Sequence, residues 1–434
     1  MRAGLRPIGN HVSRRTDDGD GSRTRATGTG ARALGTAGLA VTAAGLLANG
    51  LAYLAPVLAA RQLGSADLSA LATTLGLIAI ASVPGFGLQL AVAVHHAKHG
   101  HTDTHRATLL TAALCGSALI VATPLLIATL RLPAEALLLS AVTTAAIVVS
   151  CRTLGELQGG QRFVRLAIAM GLLAAGRYGG VLVGLLLGAG LTGSLLLGAV
   201  TAALTPIGLA ALTRTADPAT TSAAPPLEAG RIVTGCAAML AMLVVSYVDL
   251  FLARQLLSAD DSGAYAVGTV LTKGALWAPQ VATVLALPRL AQEDRFSRTV
   301  ALAVTVGCGA LLILGSTLAG DLAFRLAGGP HYTHLGTFAP LFAAVGALYA
   351  VVFVLLNGAV ATGVRWPAAP LWIGCVLLAA VTLSTTPRTI AGLLWPTLGA
   401  AMVTTLAMAV RTWASTPARS GRSDPAPRTA PDRG

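Results

Sequence analysis

Charge is scarce in this chain: only 11% of its 434 residues are Asp, Glu, Lys or Arg, against roughly a quarter in soluble domains. Lysine is almost absent, with Lys98 and Lys273 standing against 28 arginines. The chain has no GxxxxGK[ST], HExxH or GxSxG, the motifs that cradle phosphates, bind zinc or carry a serine nucleophile. It has no long hydrophilic stretch in which a transferase could hold a nucleotide sugar, and few groups for general acid–base work outside the apolar runs. These absences exclude the common enzyme classes and imply no cofactor. The five cysteines, Cys115, Cys151, Cys236, Cys308 and Cys375, all fall in or beside apolar runs with no CxxC spacing, so they read as packing residues and suggest neither a disulfide framework nor a zinc site.

What the chain does have is hydrocarbon. Fifty-four percent of the residues are hydrophobic, and apolar runs long enough to cross a core of about 30 Å follow each other closely. Twelve are expected: Leu34 to Ala60, Leu68 to Val94, Ala107 to Leu130, Ala134 to Cys151, Leu166 to Ala189, Leu191 to Leu212, Ile232 to Leu257, Ser262 to Leu287, Val300 to Ala319, Phe338 to Ala361, Trp366 to Leu383 and Thr389 to Val410. The first is too long and starts too far in to be a cleavable signal peptide.

In a soluble protein a net charge of +13 would suggest nucleic acid. Here the cations sort by side of the membrane: 23 lie in the tails and even-to-odd loops, while the other loops carry only Arg61, Arg131, Arg254, Arg325 and Arg388. Positive charge marks the cytoplasmic side, which places both termini there and leaves no role for a nucleic-acid partner.

The eight residues ARQLGSAD (Ala60 to Asp67) return as ARQLLSAD (Ala253 to Asp260). The echo extends outward: Tyr53 matches Tyr247, Ala70 and Ala72 match Ala264 and Ala266, and Pro84 falls opposite Pro279. Six helices separate the copies, so both run in the same direction. The expected fold is therefore an all-α integral membrane protein of about 12 transmembrane helices in two six-helix lobes related by a parallel pseudo-repeat. The divisions are a disordered basic cytoplasmic tail (1–33), an N-lobe (34–212), a cytoplasmic linker (213–230), a C-lobe (231–411) and a second disordered tail (412–434). The two outer loops that carry the echo read as scaffold, with Arg61 and Arg254 anchoring the interface and Ser and Asp suited to cap the next helix.

Paired proline-broken helices point to a transporter's cavity, which nominates Pro84 and Pro279 as helix breaks there and the nearby Gln89 and Gln280 as substrate contacts. Charges inside the bilayer cost several kcal/mol and mark function. Arg177 and Lys273 each lie about 16 Å deep, and Asp249 about 12 Å. Asp249 can pair with Lys273 as a coupling or counter-charge, leaving Arg177 and Lys273 as substrate-binding cations suited to an anion. The tract HHAKHGHTDTH (His95 to His105) lacks a Cys or Glu partner at fixed spacing and reads as a solvated loop rather than a metal site.

The runs YLAPVLAARQLGSADLSALATTLGLIAIASVPGFGLQ (Tyr53 to Gln89), GELQGGQRF (Gly155 to Phe163) and YVDLFLARQLLSADDSGAYAVGTVLTKGALWAPQVATVLALPRLA (Tyr247 to Ala291) resemble the polysaccharide transporter branch of the multidrug, oligosaccharidyl-lipid and polysaccharide exporter superfamily. The resemblance implies a flippase in the bacterial plasma membrane that moves a lipid-linked glycan, of polyprenyl-phosphate or pyrophosphate type, by alternating access. Its expected partners are membrane lipids and, in a biosynthetic complex, glycosyltransferases or a polymerase. The chain carries no charge in its first apolar run and shows twelve runs, where lipid II flippases of the superfamily add two helices and drug exporters commonly carry an acid in the first. The alternatives are a small-molecule or drug exporter and a transport-inactive scaffold.

Overall fold

The computed structural model describes residues 20–99, 104–213, 229–290, 294–361, 364–384 and 387–414. The linker (214–228), most of both tails, part of the histidine tract (100–103) and the side chains of Pro279 and Gln280 lie outside the described residues.

Among the described residues the chain is all-helical. Ten helices are long and apolar enough to cross a membrane: α1 (Gly38–Gln62), α2 (Ser65–Ala97), α3 (His105–Leu130), α4 (Ala134–Gly159), α5 (Phe163–Leu186), α6 (Gly190–Leu212), α7 (Cys236–Leu256), α9 (Thr299–Leu318), α10 (Pro330–Val360) and α12 (Ile390–Thr412). The Lys-bearing α8 (Ala259–Leu290) and the shorter α11 (Ala369–Ser384) complete the expected twelve. A short helix, Gly320–Gly328, sits between α9 and α10. The helix containing α1 begins at Asp20, ahead of the expected start at Leu34, because extending an existing helix adds a hydrogen bond per residue without a new nucleus.

These helices form two six-helix lobes, α1–α6 and α7–α12, related by the parallel repeat. Leu114, Val121, Leu187, Ile207, Leu311, Leu318 and Val376 are exposed, the outward leucine-rich face that a lipid solvent accepts. The largest apolar cluster spans both lobes and joins Leu71, Leu137 and Leu185 to Leu250, Tyr265, Phe324 and Phe342. The rings of Tyr265 and Phe324 meet Phe342 edge-on, with centroids 5.2 and 6.2 Å apart.

Three departures from regular helix place the candidate site. α2 breaks at Ser82: both its N–H (3.0 Å) and its hydroxyl (2.6 Å) donate to the Ile78 carbonyl, next to Pro84, which has no N–H to offer. α7 turns at Ser246–Tyr247, where the Ser246 hydroxyl donates to the Leu243 carbonyl at 2.9 Å. α5 widens into a π-turn at Ala175–Gly179. The backbone of α8 runs on as helix through Pro279, so of the two nominated prolines only Pro84 accompanies a break. Membrane helices keep a proline unbroken where neighbouring groups take up the freed carbonyl.

Candidate functional site

A cavity of about 270 Å³ lies between the lobes, walled by α1, α2 and α5 on one side and α7 and α8 on the other. Arg177 reaches it from the N-lobe and Lys273 from the C-lobe, with Tyr53, Tyr178, Tyr247 and Asn49 as its other large polar side chains. Among the described residues that line it there is no carboxylate. The structure thus brings Arg177 and Lys273 into one chamber, from helices nearly a hundred positions apart.

Each cation is turned inward by a local cause. In α5 the glycines at 176, 180 and 184 form a stripe against α6, where added methyl groups would collide with Thr205, Leu197 and Ser194. A stripe of small residues lets two helices approach closely, and the next position, Arg177, is rotated about 100° from that contact. The π-turn holds it there: the Thr201 hydroxyl of α6 donates to the Gly176 carbonyl at 2.7 Å. The Arg177 guanidinium lies 4.9 Å from the centre of the Tyr178 ring, and its buried Nε has no hydrogen-bond partner. Lys273 places its Nζ 3.1 Å from the centre of the Tyr247 ring, a cation held on an aromatic face. Tyr247 occupies the turn of α7, so the helix break delivers the ring.

Asp249 and Lys273 form no ion pair in this structure, although they stand within electrostatic reach. Asp249 is 2% exposed and sits behind the cavity wall in the C-lobe, where its Oδ2 accepts a hydrogen bond from the Tyr265 hydroxyl at 3.1 Å and its Oδ1 has no hydrogen-bond partner. The expected pair is therefore open, with Lys273 turned to Tyr247. Gln89 is corrected outright: it does not line the cavity but donates to the Gln158 Oε1 of α4 at 3.0 Å. Phe86 of the same helix faces the cavity, and three further residues carry the helix face round by about 300°. α4 comes close enough for this contact because its Gly155 lies against the backbone of Gln89, 2.5 Å from where a Cβ would stand. Pro84 lines not this cavity but a second one on the other side of α2.

One end of the helices is closed by the two echoed hairpins, each reaching into the other lobe. Arg254 donates to three N-lobe carbonyls, from Nε to Leu130 (3.1 Å), from Nη1 to Ala66 (2.8 Å) and from Nη2 to Arg131 (3.2 Å). Its counterpart Arg61 donates from Nη2 to the Leu326 carbonyl of the C-lobe at 3.1 Å. The acceptors at Leu130 and Leu326 both belong to helix ends, whose free carbonyls favour a cation. Only the second copy caps its own helix: Ser258 accepts from the Asp261 N–H at 3.1 Å and donates to the Asp261 Oδ2 at 2.9 Å, whereas Gly64 stands at the first copy's cap position with no side-chain bond. At the start of α3, His105 meets Arg152 at 3.2 Å. No group of three potential metal ligands occurs among the described residues.

No protein-family model matches this chain, and no curated protein matches it in sequence. Its fold does match solved transporters. An inward-facing multidrug resistance MATE family transporter of the MOP superfamily aligns with a TM-score of 0.61 at 15% identity, over 84% of this chain and 95% of that one. The eukaryotic MATE transporter AtDTX14 gives 0.58 at 14%, over 87% and 95%. The lipid II flippase MurJ in an inward closed conformation gives 0.61 at 12%, over 86% and 87%. The chain thus has the fold of multi-pass membrane transporters, shared by drug exporters and a lipid flippase.

Proposed function

We propose that this protein is a flippase for an anionic, lipid-linked oligosaccharide, working by alternating access between its two lobes with both termini in the cytoplasm of a bacterium. The observation that carries the reading is the cavity itself: one cation from each lobe and, among the described lining residues, no carboxylate. Two half-buried cations repel a cationic drug and attract phosphate, and a phosphate bridging Arg177 and Lys273 would draw the lobes together. Arginine suits this role because its planar fork grips phosphate oxygens two at a time. Asp249 is the coupling group. With Lys273 on Tyr247, as here, the lysine is available to substrate; with Lys273 on Asp249, the phosphate is released.

The cavity's 270 Å³ takes a phosphate and its first sugar, so a longer glycan requires the lobes to part. In proteoliposomes carrying a fluorescent polyprenyl-pyrophosphate oligosaccharide, Arg177→Ala and Lys273→Ala should insert normally and fail to flip. Unimpaired flipping by both variants would overturn the assignment. The shared fold with multidrug transporters favours export of a small anionic compound as the second reading, which predicts drug sensitivity on deletion and no flipping by the native chain.

A further inference from the structure

A second, larger cavity of about 830 Å³ opens on the flank of the molecule between α2, α3 and α7. It is lined by Ile80, Pro84, Leu114, Leu119, Cys236 and Leu240, among others. Its polar content is almost nil: the Thr111 hydroxyl is committed to the Ala107 carbonyl at 2.8 Å, and the thiols of Cys115 and Cys236 are weak partners. Among the described lining residues nothing can hold a head group, so this wall recognises hydrocarbon alone. An apolar cavity of roughly 150 Å³ takes one benzene ring, which gives this groove room for some twenty to thirty carbons.

The groove and the cationic cavity stand back to back across a single seam. On α2, Ala79 and Phe86 face the cavity while their neighbours Ile80 and Gly87 face the groove; on α7, Met239 and Leu243 face the cavity while Leu240 faces the groove. The α2 wall is the one interrupted at Ser82, and Pro84 stands exposed beside the break. The α7 wall enters the seam from the linker. The groove lies toward the α2–α3 loop end of these helices, the end that the arginine placement assigns to the leaflet from which an inner-face substrate would load.

We infer that this groove seats the hydrocarbon tail of the lipid-linked substrate, and that the α2–α7 seam, hinged at Ser82, is the slot through which the tail stays joined to a phosphate held by Arg177 and Lys273. The inference rests on the flippase reading above. It adds a tail-binding site and a lateral path that the cavity alone does not supply.

Cys236 is a native reporter in the groove, and Trp277 is one in the cavity. The test uses the full chain in phosphatidylcholine nanodiscs, with Cys236 as the sole cysteine, and two probes: a long-chain polyprenyl phosphate and a short, water-soluble isoprenyl phosphate. Both should change the Trp277 emission, judged against Trp277→Phe. At about ten times its Kd the long-chain probe should slow alkylation of Cys236 by N-ethylmaleimide about tenfold, and the short one should not. Ala237→Phe, at an exposed position on the groove, should weaken the long-chain probe about tenfold and leave the short one unchanged. A long-chain phosphate that alters Trp277 while Cys236 reacts at its free rate overturns the groove and leaves the flippase standing. If neither phosphate reaches Trp277, the flippase reading falls and the groove with it.

Discussion

The hydroxyls of Ser69 and Ser262 hydrogen-bond to each other, and the two serines are counterparts in the repeat, 193 positions apart. Equivalent atoms meet only on the axis that relates the two halves, so this bond locates the axis at the mouth formed by the two echoed hairpins. With Arg61 and Arg254 it makes the mouth a seam between lobes. A double variant, Ser69→Cys with Ser262→Cys in a background lacking the five native cysteines, should form a disulfide under mild oxidation. Non-reducing electrophoresis reads the bond. Flipping should stop when it forms and return on reduction, because an outer mouth that cannot open cannot release cargo.

Arg254→Ala should bias the protein toward an open outer mouth. It removes three hydrogen bonds to backbone carbonyls, each worth about 1 kcal/mol at a half-exposed site, whereas Arg61→Ala removes one. The rate at which an impermeant maleimide labels a cysteine placed at Ala72, inside the cavity, should rise on the order of a hundredfold for Arg254→Ala and about fivefold for Arg61→Ala. Equal rates in both variants and the parent would show that the seam does not govern access.

The path from sequence to this arrangement was uneven for physical reasons. Spans are legible because hydropathy is summed over many residues, and helical rise sets Arg177 and Lys273 at like levels, where one cavity takes both. Direction was harder. Gln89 lies three residues past the cavity-lining Phe86, yet its helix turns it toward Gln158, and a few residues of uncertain phase suffice for that. The outer loops looked like scaffold because the groups that Arg61 and Arg254 grip are backbone carbonyls, which leave no mark in a sequence. One signal was present and unused: the glycines at 176, 180 and 184, spaced to fit a helix neighbour, fix the direction of Arg177.

Thr201→Val should slow transport without hindering insertion. The hydroxyl it removes donates to the Gly176 carbonyl within the π-turn, a bond worth about 1 kcal/mol, and valine keeps the shape that packs against α5. Arg177 would then lose the backbone setting that aims it inward. The change should appear as weaker binding of a polyprenyl phosphate, read from Trp277 fluorescence, with an unaltered melting transition to within a few degrees. Thr205→Val, whose hydroxyl donates within its own helix to the Thr201 carbonyl at 2.9 Å, serves as the control.

The same repeat that closes the mouth also seats a tyrosine of each lobe on a glycine of the other, and the two seats differ. A Cβ added to Gly274 would stand 3.4 Å from the Tyr53 ring, an ordinary contact, whereas one added to Gly76 would stand 2.6 Å from the Tyr247 Cδ1. Gly274→Ala should therefore be nearly neutral. Gly76→Ala must push the Tyr247 ring aside, and that ring is what holds the Lys273 ammonium, an interaction worth about 1–2 kcal/mol when desolvated. Displaced, Lys273 would turn to its remaining counter-charge, Asp249, and the cavity would lose its C-lobe cation. Flipping should fall about tenfold or more in Gly76→Ala, and a second change, Asp249→Asn, should restore part of it by leaving the lysine nowhere else to go. Equal activity of the two glycine variants would mean that the Tyr247 seat is packing and not part of the transport path.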